Sequence, residues 1–308
     1  MKESIIGACC LTLAASIWGS MYVISKYILM YVPPITLLWF RYVIACLLLF
    51  AVMAASRKGK KMKLLSKRDG LLFMWIGFIG YFISIAFQFI GTKLSDAHTG
   101  ALITSSTPAF IVIFAWFVLK ERITARKLLS LIVATIGVVI CIGGSPRVGT
   151  YALGNIILVG AAVTWALLSV YVKKASRKFS SLMITTYSMI FALLFSTPFM
   201  IVEQMNEPMT INQTPIILGI LYLGTVSTAG AFFLWNKGLE LMDAGIGSLF
   251  LFLQPIVGAI LGWLWLKETL SYSFYIGGCF ILVGIIIATR RKEQSAKKRP
   301  NTNNKLTS

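Results

Sequence analysis

Residues 100–121 read GALITSSTPAFIVIFAWFVLKE, and residues 247–268 read GSLFLFLQPIVGAILGWLWLKE. Each is an apolar run long enough to cross a hydrocarbon layer as a helix. Each carries a proline near its middle, Pro108 or Pro255, and closes on Leu-Lys-Glu at Glu121 or Glu268. Position for position, the two stretches lie 147 residues apart. A proline inside a helix removes one backbone hydrogen bond and bends the chain. In lipid the freed carbonyl must be met by protein or by a water-lined cavity. The spacing therefore predicts two bent helices facing one another across a cavity, with Pro108 and Pro255 as gating positions.

The same offset runs through the chain. Gly7, Ala14, Ala15 and Trp18 recur as Gly154, Ala161, Ala162 and Trp165. Gly77, Gly91, Asp96, Trp116 and Gly137 recur as Gly224, Gly238, Asp243, Trp263 and Gly284. Chance likeness between apolar helices shares Leu and Ile, not Gly, Pro, Trp and Asp in one register. Residues 5–140 and 152–287 read as two copies of one unit, followed by a basic, disordered cytoplasmic tail over 290–308. The recurrence also argues against a cleaved leader, because the first apolar run has an internal twin.

Apolar runs fall near 5–25, 35–55, 71–91, 99–119, 128–144, 154–172, 181–202, 215–235, 247–266 and 272–289. The fold class expected is an all-α membrane protein of ten transmembrane helices. Five crossings per copy start the second copy on the opposite side, so the copies are inverted repeats. Composition agrees: 57% of residues are hydrophobic and 13% charged, where a soluble domain carries about 25% charged.

The net charge of +19 is explained by placement. All of the 29 Lys and Arg except Lys26, Arg41, Lys93, Arg147 and Lys267 fall on one side if both termini are cytoplasmic. That is the positive-inside pattern of a multi-pass cell-membrane protein. No basic folded domain is left over to hold nucleic acid. The five cysteines form no CxxC pair, so neither a metal site nor a cofactor is expected. One histidine, His98, and no mid-span acid leave no catalytic constellation, and an enzyme is not expected.

The ten acids are Glu3, Asp69, Asp96, Glu121, Glu203, Glu207, Glu240, Asp243, Glu268 and Glu293, all near span ends or beyond them. A proton relay on buried carboxylates is disfavoured, and uncoupled or weakly coupled movement is favoured. Glu121 and Glu268 are expected to act locally, pairing with Lys120 or Lys267 and helping to start the next helix.

The candidate lining is aromatic and neutral-polar. It comprises Trp18 and Tyr22 in the first span, Tyr81 and Gln88 in the third, and Trp165 and Ser169 in the sixth. Trp235 and Asn236 end the eighth, and Thr104, Ser105 and Gln254 flank the prolines. Such a wall suits small amphipathic organic solutes. Arg41, inside LLWFRYVIACLLL, is read either as a cation snorkelling to the outer interface or as a contact for a solute anion.

Several of these stretches together resemble a known family: Trp18-Gly19-Ser20-Met21-Tyr22 with Lys26, Trp39-Phe40-Arg41-Tyr42, and Thr104-Ser105-Ser106-Thr107-Pro108 ending Lys120-Glu121-Arg122-Ile123-Thr124. Gln254-Pro255 ending Leu266-Lys267-Glu268-Thr269-Leu270-Ser271 completes the set. The chain resembles the EamA family of the drug/metabolite transporter superfamily over about residues 5–290. The resemblance implies a ten-helix inverted-repeat carrier, often an exporter of amino acids or other metabolites. It implies that spans 1, 3, 4, 6, 8 and 9 surround the cavity while 5 and 10 stand outside. Arg41 departs from the internal repeat, since its counterpart is Ser188. The partners expected are a small-molecule substrate and the lipid bilayer, with oligomeric state open. A flippase for lipid or lipid-linked substrates is the alternative function.

Overall fold

The structure, a computed structural model, describes residues 2–56, 66–94, 103–104, 106–142, 152–207, 209, 213–266 and 272–289. The tail at 290–308, His98, Asp96 and Glu268 lie outside the described residues. Helices α1 to α4 are Lys2–Ile28, Pro34–Ser56, Lys67–Leu94 and Thr107–Leu119. Helices α5 to α8 are Ala125–Ile142, Ala152–Ala175, Ser181–Asn206 and Thr214–Leu241. Helix α9 is built of three consecutive pieces, Ala244–Gly247, a 3-10 turn Ser248–Phe252, and Leu253–Leu266, and α10 is Tyr272–Thr289. Among the described residues there is no strand. Among the described residues, six stretches are long and apolar enough to cross a membrane: Lys2–Met21, α2, α3, Leu153–Ala175, α7 and α8.

Packing follows the internal repeat. Helix α1 lies against α8, and its repeat mate α6 lies against α3. Helix α1 also meets α9, and α6 meets α4. Two further pairs, α2 with α7 and α5 with α10, each join a helix to its own copy. In α5 and α10, a Cβ at Gly137 would meet the Gly277 carbonyl at 2.6 Å, and one at Gly284 would meet the Ser130 carbonyl at 2.9 Å. These are the same contact seen from both copies, since Ser130 and Gly277 are 147 apart. As the position rises along α5 it falls along α10, so the helices are antiparallel. Trp39 with Thr197 and Thr36 with Glu203 show the same for α2 and α7. A helix and its copy running in opposite directions is the geometry of an inverted duplication.

The third helix of each copy is wound wide in its middle. Ile76–Ser84 of α3 and Leu223–Gly230 of α8 are π-helical, again in register with the repeat. The extra residue per turn shifts backbone carbonyls away from their usual partners and makes them available to neighbours. In lipid such backbone is tolerated where it is buried in protein or lines a cavity. Close packing covers both segments: Gly77 packs on Phe191 and Gly224 on Ile44, another pair of equivalent contacts.

The prolines differ from the expectation. Pro108 does not sit in the interior of its helix, whereas Pro255 lies within the helical run of α9 at a change of winding. Pro108 occupies the first turn of α4, after a turn at Ser106. Pro255 is the third residue of Leu253–Leu266, after the 3-10 turn. The first turn of a helix has no use for the N–H that proline lacks. Pro108 thus lies at the start of its helix, and Pro255 lies where a 3-10 segment passes into an α-helix.

One end of the bundle collects the segments 66–69, 121–127, 173–181 and 237–245. Lys178 pairs with Asp69 at 2.6 Å, Lys173 donates to the Glu240 carbonyl at 3.2 Å, and Glu240 accepts from the Ser181 backbone. At the other end Glu203 accepts from the Ile35 and Thr36 backbone at the start of α2, and Lys93 pairs with Glu207.

Candidate substrate cavity

The π-helical stretch of α8 builds the site. The Trp18 indole Nε1 donates to the Ser227 carbonyl at 3.0 Å, fixing the ring against the middle of the bundle. Thr228 Oγ1 donates to the Leu223 carbonyl at 2.6 Å, five residues back, and accepts from Arg41 Nε at 2.9 Å. Helix α8 therefore positions one aromatic and one cationic side chain that belong to the other copy. Trp18 meets Trp165, its repeat mate, edge to face with ring centres 5.1 Å apart. Phe232 lies 5.5 Å from Trp18 and 5.6 Å from Trp165. Edge-to-face and tilted contacts put the positive ring edge against a negative face.

These rings wall a cavity of about 50 Å³. The lining is Trp18 and Met21 from α1, Arg41 from α2, and Ser84, Ile85 and Gln88 from α3. Thr104 and Thr107, then Ala161, Ala162 and Trp165 from α6, Phe232 from α8, and Leu251 and Gln254 from α9 complete it. Four pairs in that set are repeat mates: Trp18 with Trp165, Ile85 with Phe232, Thr104 with Leu251, and Thr107 with Gln254. The cavity therefore straddles the axis that exchanges the two copies. Its volume is room for a few waters, so a metabolite-sized solute requires the walls to part.

Of the residues expected to line a cavity, the structure brings together Trp18, Gln88, Thr104, Trp165 and Gln254. It places four others behind the wall. Asn236 Nδ2 donates to the Tyr81 hydroxyl at 2.7 Å and to Thr185 Oγ1 at 2.8 Å, closing a buried polar knot. Trp235 is fully buried against Trp18, and Ser169 is buried with its hydroxyl on the Trp165 carbonyl. These placements have a common cause: each of these side chains packs against other helices, and protein groups take the Tyr81 and Ser169 hydroxyls and the Asn236 Nδ2. The side chain of Tyr22 and the whole of Ser105 lie outside the described residues. Pro108 and Pro255 adjoin the lining residues Thr107 and Gln254. Sequence reasoning missed Met21, Ser84, Ile85, Thr107, Ala161, Ala162, Phe232 and Leu251 as lining. Leu251 and Thr107 carried a signal as the repeat mates of Thr104 and Gln254, and Ala161 and Ala162 as recurring residues beside Trp165; nothing distinguished the others from ordinary span residues.

Arg41 does not snorkel. It is 0% exposed, with its guanidinium 5.1 Å from the centre of the Phe89 ring and Nη2 3.5 Å from Met21 Sδ. Glu121 also departs from the local role expected of it. It pairs with Lys127 rather than Lys120, and accepts from the Ala244 and Gly245 backbone at 2.9 and 3.3 Å. Lys120 takes the left-handed conformation (φ 59°) that ends α4, which turns Glu121 toward the start of α9. Burial and the neighbouring Asp243 push the Glu121 carboxyl above its ordinary range. Burial alone would raise Asp243 too, but its contacts with Glu121 and Lys127 outweigh that and hold it below its ordinary range.

A family model described as the EamA-like transporter family matches residues 5–143 and again 152–290. The chain belongs to the EamA-like transporter family. The transporter YetK of Bacillus subtilis is 28% identical over 92% of this chain and 87% of its own length. A transporter of Archaeoglobus fulgidus is 27% identical over 95% of this chain and 100% of its own. A solved crystal structure superposes with a TM-score of 0.75 at 21% identity, covering 94% of this chain and 96% of that one; at that identity it speaks for the fold alone. This EamA-like chain is accordingly a multi-pass cell-membrane transporter rather than an enzyme.

Proposed function

We propose that the protein is a carrier for small amphipathic organic metabolites, amino acids or similar solutes, working by alternating access in the export direction. The observation that carries this is the cavity on the exchange axis, walled by four pairs of repeat mates. If the two copies swap conformations, such a cavity opens to one face and then to the other while its wall stays the same. Pro108, at the start of α4 next to Thr107, and Pro255, next to Gln254 where α9 passes from 3-10 to α-helix, are the natural hinges, because each lacks the N–H that would tie it to the preceding turn. The reading includes ten crossings, two five-helix copies at 5–140 and 152–287, and both termini in the cytoplasm. The gathering of basic segments at one end supports that orientation. A lining drawn from seven helices supports a solute over a lipid, whose chains need a cleft open sideways to the bilayer.

Counterflow tests the proposal. Proteoliposomes of the full chain, preloaded with a pooled metabolite mixture, should exchange a labelled member saturably with no ion gradient. Folded protein that exchanges nothing, or vesicles that leak at channel rates, would contradict it.

A further inference from the structure

Among the described residues, the cavity contains one buried charge and no acid to balance it. Arg41 lines the cavity and is 0% exposed. Its partners are the Thr228 hydroxyl on Nε, the Met21 sulfur near Nη2 and the face of Phe89. All three are neutral. Nη1 is buried and finds no acceptor among the described residues. The described acids other than Glu3 are engaged elsewhere: Asp69 with Lys178, Glu121 and Asp243 with Lys127, Glu203 on the start of α2, Glu207 with Lys93, and Glu240 with Lys237. Glu3 is exposed in the first turn of α1. A guanidinium cannot shed its proton to escape burial, and an unpaired buried ion is strongly disfavoured. The internal repeat sharpens the point, because the equivalent position, Ser188, is neutral. The duplicated scaffold stands without a cation there.

We propose that Arg41 is the anchor for the carboxylate of the carried solute, so that the cavity takes monoanionic amphipathic organic acids. This rests on the carrier reading above and adds a substrate class to it. A planar fork of N–H donors with one open position matches a carboxylate. A single positive charge balances a single negative one, which disfavours phosphate esters carrying two. The remainder of the solute meets Trp18, Trp165, Phe232, Ile85 and Leu251, an apolar surface that an inorganic ion does not use. Gln254 flanks that surface and can take a further polar group.

The test compares acids with their own amides. Phenylacetate, 3-indolepropionate and 4-methylvalerate would be paired with the corresponding primary amides. Counterflow would be followed at pH 8, where the acids are ionised, against protein-free vesicles, and binding to purified protein would be followed by tryptophan fluorescence. The expected result is exchange and binding of acids at least about 30-fold better than of amides. Arg41→Gln should lose that preference while keeping its elution profile and melting temperature. Acids and amides handled alike, or acids retained by folded Arg41→Gln, would overturn the anchor and leave the carrier standing. Neutral solutes exchanged only when chloride is present would overturn it too, because the cation would then be holding a halide. If Arg41→Gln fails to fold, the acid–amide comparison in the native chain decides by itself. Failure of the whole metabolite pool to exchange would remove the carrier reading and the anchor with it.

Discussion

Lys127→Met removes the cation that bridges two carboxylates. Lys127 Nζ lies 3.2 Å from Glu121 and 2.6 Å from Asp243. The three groups tie the segment after α4 to the start of α9, one from each copy. Removing a partner from a buried ion pair costs about 3–5 kcal/mol, while exposed pairs are worth at most about 1 kcal/mol. The Lys127 and Glu121 side chains are 9% and 13% exposed but Asp243 is 37% exposed. An intermediate loss of about 2 kcal/mol is therefore expected. At roughly 2–4 °C per kcal/mol this lowers the melting temperature of detergent-solubilised protein by roughly 4–8 °C. The loss has a definite pH sign. The Glu121 carboxyl is already raised above its ordinary value of 4.5 by burial and by Asp243, so in the folded state it resists ionisation. Its contribution to stability is fullest below that ordinary value and declines as pH rises through the folded value. Without Lys127 the repulsion grows, so the deficit should be largest near pH 8 and shrink toward pH 5. Adding Glu121→Gln to Lys127→Met should recover part of it, because the amide carbonyl can still accept from Ala244 or Gly245. The assay is a melting curve for each variant at both pH values. An equal deficit at pH 5 and pH 8, or none at pH 8, would refute the reasoning.

Three further perturbations separate the site from its scaffold. Trp18→Phe keeps a ring but loses the 3.0 Å bond to the Ser227 carbonyl; it should cost about 1 kcal/mol of stability and a larger fraction of counterflow activity, measured per folded molecule. Gly137→Leu would drive a side chain into the Gly277 carbonyl and Ile281 and should destabilise by about 1–3 kcal/mol. Gly278→Leu, where a Cβ meets nothing within 4 Å, should leave melting unchanged, and a similar loss in both would refute the antiparallel packing of α5 on α10. Pro108→Ala and Pro255→Ala should leave membrane levels near normal, because each proline sits in a first turn, while lowering transport; equal losses of protein and transport would return both to a packing role.

The duplication was legible because it was written in residues that do specific things. Glycines where helices touch, Trp18 and Trp165 across the axis, and prolines where a helix starts or changes winding keep their spacing under drift in the surrounding Leu and Ile. The π-helical segments were not legible. A wide turn inside an apolar run, such as 76–84, leaves no trace in a pattern that is apolar on every side. Arg41 shows the limit of depth as a guide. Counting from the span's start says how far in a residue lies, but not which face it occupies, and the face turned toward α8 and Phe89 decides that it is buried. Tyr81 and Asn236 misled for a related reason. A polar group in a span announces that it needs a partner, and here Asn236, Tyr81 and Thr185 supply one another. Glu121 was read as a local cap because its sequence neighbours are basic, yet its oxygens face backbone N–H groups more than a hundred residues away.

The account's central claim is that one cavity on the exchange axis is reached from both faces in turn. The most direct measurement places a single reporter there: Thr104→Cys in a chain whose five native cysteines are serine, probed with a membrane-impermeant thiol reagent. Right-side-out and inside-out vesicles would be labelled separately, with leak of a small trapped dye followed alongside. The account predicts labelling from both faces, with the vesicles remaining tight to the dye. Labelling from one face alone would contradict it, as would labelling accompanied by dye leak.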